Sequence, residues 1–229
     1  MTTRIQIHEH CKLKRYIWEL PVRWSHWTNV FSLVILAVTG AFIAHPFTVA
    51  HSASDFAMGW VRFIHFAVAY LFTVSVVSRL IWTLIGNRYA GWREYFPMLT
   101  AKGRANMRDM FRYYLFMTRQ VPETVGHNPL AATAYFAVFG IYLIMILTGF
   151  ALYAQQAPGG LMHRSLGFMY ALFSTPTLHL IHHALPWLLL GFVINHIYSA
   201  WLMDIKEHGA EISSIFSGYK FTLKKEDQI

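Results

Sequence analysis

Histidine is the residue in this chain whose placement points to chemistry. His26, His65 and His196 lie inside long apolar stretches, and His179, His182 and His183 cluster at the start of another. His8, His10, His45, His51, His163 and His208 fall in tails or at the edges of those stretches and need no special explanation. Ionisable side chains at membrane depth are costly, and they usually face the bundle interior with a task to perform. His182 and His196 are 14 residues apart, about four helical turns or roughly 21 Å of rise, which leaves them roughly 40° apart on one face. His179 and His183 would stand about 100° and 140° from His196, so His182 is the better partner position. Imidazoles facing one another across a helix bundle ligate haem iron. Intramembrane histidines also serve zinc or copper transport, but such sites add carboxylates or thiols, and the apolar stretches hold no Asp, Glu or Cys away from their ends.

The elements that must position these residues follow from composition. The chain has 229 residues, 55% of them hydrophobic and only 13% charged, about half the charge of a soluble domain. Mean hydropathy is +0.37. One cysteine, Cys11, rules out a disulfide scaffold, a cysteine zinc site and an iron–sulfur cluster, and no C-x-x-C-H motif is present for covalent haem attachment. Four stretches reach the roughly 20 apolar residues a crossing needs: residues 22–44, 60–84, 129–153 and 182–203. Each must be helical, because an open strand in lipid leaves its backbone groups unpaired. The polar start of the chain lacks a signal-peptide pattern, so the first span is expected to be retained. The fold class expected is an all-α integral membrane protein, a single domain built as a four-transmembrane-helix bundle.

Charge sets the orientation. The net charge is +8, and the basic residues lie before span one, between spans two and three, and after span four; the other two loops hold only Arg164. Both termini and the long middle loop are therefore expected in the cytoplasm, in the inner membrane of the cell. Charge spread along the cytoplasmic edge of a bundle argues against nucleic acid as a partner; the partner it implies is the lipid bilayer. In the middle loop Arg104, Arg108 and Arg112 form a stripe beside Met107, Met110, Phe111, Tyr114 and Leu115. That pattern reads as an amphipathic helix, either lying on the anionic inner leaflet or packed on the bundle ends. Asn128 followed by Pro129 reads as an N-cap and first-turn proline opening span three.

With this orientation the histidine depths match in pairs. His26 meets His196 on the cytoplasmic side, and His65 meets His182 on the outer side. Two bis-histidine b-type haems stacked in the bundle satisfy the set, with all four histidines as iron ligands. The 14-residue interval recurs: Gly40 follows His26, and Arg79 follows His65. Gly40, and Gly149 in the similar Thr148-Gly149 segment of span three, would let a porphyrin lie against the backbone, or would serve helix packing. Arg62 and Arg79 would pair with haem propionates, or snorkel to the interface.

The chain resembles the cytochrome b subunit of membrane-bound nickel–iron uptake hydrogenases, within the four-helix di-haem cytochrome b family, over nearly its whole length. The resemblance rests on Leu20-Pro21-Val22-Arg23 with His26-Trp27, on Val61-Arg62-Phe63-Ile64-His65-Phe66, and on Gly86-Asn87-Arg88-Tyr89. Gly126-His127-Asn128-Pro129, Thr148-Gly149-Phe150-Ala151-Leu152-Tyr153, His182 and Phe192-Val193-Ile194-Asn195-His196-Ile197-Tyr198 complete it, and Pro186 departs from it. The resemblance implies that His26, His65, His182 and His196 are the haem ligands. It also implies that hydrogenase small and large subunits dock on the outer face, near residues 45–58 and 155–178. Electrons from hydrogen oxidation would pass through the outer and then the inner haem to a membrane quinone, while hydrogen splitting itself lies outside this chain. Tyr114, His127, Asn128 and Tyr198 are candidates for the quinone site. A di-haem cytochrome serving a formate dehydrogenase or another membrane oxidoreductase is the alternative.

Overall fold

The computed structural model describes residues 13–46, 56–119, 128–207 and 209–222. Among the described residues four helices are long and apolar enough to cross a membrane: α1 (Leu20–Ala44), α2 (Ala57–Ile85), α4 (Pro129–Ala154) and α7 (Thr175–Glu207). Between them lie α3 (Ala101–Tyr114), the short α5 (Leu161–Leu166) and α6 (Phe168–Leu172), and then α8 (Glu211–Ser217) follows α7. Two short strands, β1 (Leu13–Tyr16) and β2 (Tyr219–Thr222), pair antiparallel with Leu13 opposite Thr222 and Tyr16 opposite Tyr219.

The expected spans agree with the helices to within a few residues, except the fourth. It begins at Thr175 rather than 182, because Ser174 caps it: its Oγ accepts from the Thr177 amide at 3.3 Å, with Pro176 in the first turn. The extra turns bring His179 onto the helix. Asn128 caps α4 as expected, its Oδ1 accepting from the Leu130 amide at 2.9 Å. The strands were not foreseen. They are four residues each, too short to stand out in a sequence whose pattern is helical.

The helices pack as two close pairs, α1 with α2 and α4 with α7. The buried residues of the α1–α2 pair include many small or polar ones, Ser25, Asn29, Ser32 and Thr39 on α1 and Ser75 on α2, and Ser75 Oγ donates to the Ser25 carbonyl at 3.4 Å. Small side chains let helix backbones approach in a setting where apolar burial gives no advantage over lipid. The two pairs meet through large aromatic contacts: Phe66 with Tyr153 at 4.5 Å, Tyr70 with Phe150 at 4.9 Å, and Phe72 with Tyr142 at 5.0 Å. Ring-on-ring spacing holds α2 and α4 further apart than the close pairs.

One end of the bundle is closed by the β1–β2 ribbon. Ile17 and Trp18 leave β1 into a core with Val22, Tyr89 and Ala90. The Trp18 indole donates to Ser214 Oγ at 3.0 Å, and the Asn87 amide side chain donates to the Ile17 carbonyl at 2.9 Å. Buried Lys220 pairs with Glu211. Glu19 fastens this cap to α2, its Oε2 accepting from Trp82 Nε1 at 2.9 Å and from the Asn87 amide at 2.8 Å. In α3, Met110 is buried while Phe111 is exposed beside Arg108 and Arg112, and Leu115, Phe116 and Met117, just past the helix, are exposed as well. The helix thus packs on the bundle end through its Met110 side, the second of the two expected arrangements.

Hydrogen bonds to a charged acceptor contribute roughly 1.5–3 kcal/mol each. Glu19→Ala is therefore expected to lower stability by about 2–4 kcal/mol and to expose residues 86–100 to protease, with Glu19→Gln milder. Thermal denaturation in detergent and limited proteolysis measure both effects; an unchanged melting temperature would exclude the fastening role.

Candidate functional site

The four selected histidines all stand half-buried on the interior of the bundle. His26, on α1, and His196, on α7, face each other near the ribbon end with ring centroids 6.3 Å apart. Metal–imidazole bonds of roughly 2 Å on each side, added to the half-widths of two imidazoles, span this separation. Phe192 stacks on His196 at 5.6 Å and 14°, and Tyr135 meets it edge-on at 5.7 Å. The Tyr135 hydroxyl lies 3.3 Å from His196 Nδ1.

At the opposite end stand His65, on α2, and His182, on α7, both half-buried. Each is held by a helix of its own pair. His65 Nδ1 is 2.8 Å from Thr39 Oγ1 on α1, and His182 Nδ1 is 3.0 Å from Thr148 Oγ1 on α4. The residue after each threonine is a glycine, and the imidazole lies against it. A Cβ on Gly40 would stand 3.4 Å from His65 Cε1, and one on Gly149 only 2.9 Å from His182 Cε1. The two Thr-Gly segments therefore do the same work in both helix pairs, seating a histidine ring against backbone. His183, next in the chain, is exposed, whereas His182 turns inward. Pro186, four residues on, lacks the N–H that the His182 carbonyl would accept in a regular helix.

The donor set fits haem. Nδ1 is engaged on His65 and His182 and more loosely on His196, which leaves Nε2 of each facing elsewhere. Among the described residues no group of three or more His, Cys, Asp or Glu is close enough to hold a bare metal ion. Two imidazoles per site suit an iron whose remaining positions a macrocycle fills.

The other expected residues are placed as follows. Arg79 is buried near the ribbon end, and its guanidinium donates to Tyr95 Oη at 2.5 Å and to the Ala90 carbonyl at 3.4 Å. It is thus turned to the loop after α2, because a buried guanidinium needs acceptors. Burial pushes the Tyr95 phenol up, and Arg79 draws it partly back. Arg62 is exposed. Tyr114 accepts from Asn128 Nδ2 at 3.3 Å at the ribbon end, and Tyr198 is exposed on α7 with its ring 6.5 Å from Trp201. His127 lies outside the described residues, as does 47–55 of the expected docking face. Sequence reasoning missed Thr39, Thr148 and Tyr135 as partners of the histidines. The repeated Thr-Gly pair was the available signal for the first two.

Residues 17–218 match the family model described as prokaryotic cytochrome b561. Three relatives are similar over most of their length. Each bears the name "Probable Ni/Fe-hydrogenase B-type cytochrome subunit", numbered 1 in the last. The one from Bradyrhizobium diazoefficiens is 39% identical, covering 89% of this chain and 84% of its own. That from Cupriavidus necator is 37% identical, over 90% and 86%. That from Escherichia coli is 34% identical, over 91% of each.

Overpacking a close contact costs roughly 1–3 kcal/mol. Gly149→Ala, with its 2.9 Å approach, is expected to displace the His182 ring and weaken the b-type absorption band, while Gly40→Ala at 3.4 Å is milder. Equal effects of the two substitutions on band intensity and melting temperature would contradict this seating.

Proposed function

This chain belongs to the prokaryotic cytochrome b561 family, and on that premise we propose that it is the di-haem membrane anchor of a nickel–iron hydrogenase, delivering electrons from hydrogen oxidation to a membrane quinone. The observation that carries the proposal is the pairing of four interior histidines at two levels of one bundle, His26 with His196 and His65 with His182. Haem b, when bound, supplies a one-electron carrier at each level. His26 and His196 would hold it near the ribbon end, and His65 and His182 near the opposite end. The helices fix the spacing of the two sites. Arg62, exposed on α2 near the His65 end, is the remaining candidate partner of a propionate, since the Arg79 guanidinium is engaged by Tyr95 and the Ala90 carbonyl.

The basic residues gather at the ribbon end and in the loop carrying α3, and by the positive-inside rule that end, with both termini, would face the cytoplasm. The opposite end, with α5 and α6, then faces outward and would receive the hydrogenase small and large subunits. Leu161 and Leu172 stand exposed there, so docking would rest on apolar contact more than on charge steering. The quinone would bind at the ribbon end, where Tyr114 and Tyr198 are exposed, with His127 and Asn128 as the further candidates.

Two haems per chain are expected by pyridine haemochrome assay of the purified complex. His65→Ala or His182→Ala should remove one and His26→Ala or His196→Ala the other, with His183→Ala keeping both. A ratio near one in the unaltered protein overturns the di-haem assignment.

The order of the two levels has its own test. In membranes holding the complete complex, His26→Ala should still show haem reduction under hydrogen, but added quinone should no longer reoxidise it. Reoxidation at the normal rate, or a haem that stays oxidised under hydrogen, overturns the order.

A further inference from the structure

The hydroxyl protons decide how His65 and His182 can bind. Thr39 Oγ1 lies 2.6 Å from the Ile35 carbonyl, and Thr148 Oγ1 lies 2.7 Å from the Ile144 carbonyl, each one turn back in its own helix. A carbonyl only accepts and a hydroxyl has one proton, so that proton goes to the carbonyl. The second near contacts, to the Leu36 and Met145 carbonyls at 3.3 and 3.2 Å, are acceptors too. Each threonine oxygen therefore presents a lone pair to the histidine, and Nδ1 must be the donor. A neutral imidazole with its proton on Nδ1 has its free lone pair on Nε2. Both rings of this level are thus fixed in the tautomer that ligates through Nε2, and the adjoining glycines let them sit close enough for the hydrogen bond.

The level near the ribbon end is built differently. His196 Nδ1 faces the Tyr135 hydroxyl at 3.3 Å, beyond the usual N–H···O range of about 2.7–3.2 Å. His26 has no ring hydrogen bond among the described residues. Donation from Nδ1–H to an oxygen makes an imidazole a stronger electron donor to its metal, and a hydroxyl that is itself donating accepts more strongly. Stronger donation favours ferric over ferrous iron.

We propose that Thr39 and Thr148 are positioning residues that lock His65 and His182 in the Nε2-ligating tautomer and hold the haem potential at that level below the potential at the His26–His196 level. This rests on the di-haem reading. Electron passage toward the ribbon end is then downhill by construction, through a difference between threonine and tyrosine partners rather than between ligands.

The test is a potentiometric titration of the purified holo-complex, following the haem absorption bands and the low-spin ferric electron paramagnetic resonance signals. Thr39→Val and Thr148→Val keep side-chain shape and remove the hydroxyl. Each is expected to raise the reduced-to-oxidised ratio of one haem at fixed ambient potential by roughly fivefold, the equivalent of one ordinary hydrogen bond. The other haem should not move, and Thr→Ser at either position should restore the original ratio. Unmoved titrations with both haems retained overturn the proposal, as does movement of both haems alike. If a valine variant loses haem, loss of that one haem with retention in the serine variant supports the role, and loss in serine as well overturns it. Failure of the di-haem reading shows separately, as fewer than two haems in the unaltered complex.

Discussion

An imidazole held inside a membrane bundle must have its ring nitrogens answered by the protein or by what the protein binds, since lipid offers no hydrogen bonds. That requirement organises the interior of this chain. His65 and His182 each find a threonine hydroxyl on the neighbouring helix of the same pair, and each ring lies against a glycine, closely enough at Gly149 that a Cβ there would press on the His182 ring. The threonines avoid a conflict of their own by passing their protons back to helix carbonyls. A buried polar network of this kind is stable only when every member is satisfied, and the one position left open on each ring is the nitrogen that would meet iron.

The charged residues obey the same rule by a different route. Buried Arg79 and Lys220 are not scattered through the spans but collected at the ribbon end, where Tyr95, Ala90 and Glu211 supply acceptors. Glu19 gathers Trp82 and the Asn87 amide at the same end. The ribbon of β1 and β2 makes this possible, because it brings the segments before α1 and after α8 over the loop that follows α2. The spans can then remain almost free of charge, as a lipid setting demands.

Much of this was legible in the sequence. Four spans stand out because apolar length is a strong signal, and the choice of His182 over His183 follows from helical angle alone, which the inward and outward turns of the two rings match. The facing of His26 and His196 follows from depth. The Thr-Gly repeat was visible, but its use was not: sequence periodicity shows that a glycine lies on an interior face, whereas only coordinates show whether ring, helix or cofactor occupies the space. Tyr135 gave no signal, since it lies 61 residues from His196 in a helix rich in aromatics. The early start of α7 at Thr175 was hidden because its cap, Ser174, and its first-turn proline precede the apolar run. Arg79 was placed at the right depth, yet the direction of a long side chain depends on acceptors in a loop whose fold spacing cannot give.

The two levels also differ in origin. The level away from the ribbon is made of equivalent parts, a Thr-Gly on the first helix of each close pair and a histidine on the second. The ribbon-end level has no such equivalence: both histidines come from α1 and α7, the first and last spans, while α2 at that depth contributes Arg79 and α4 contributes Tyr135. A bundle of two similar halves has thereby acquired two dissimilar polar settings. The dissimilarity lies in the residues around the histidines, because four imidazoles taken alone would make the two levels alike. Any directional preference that the chain imposes along the bundle must therefore come from those neighbours and from the asymmetric charge at its two ends.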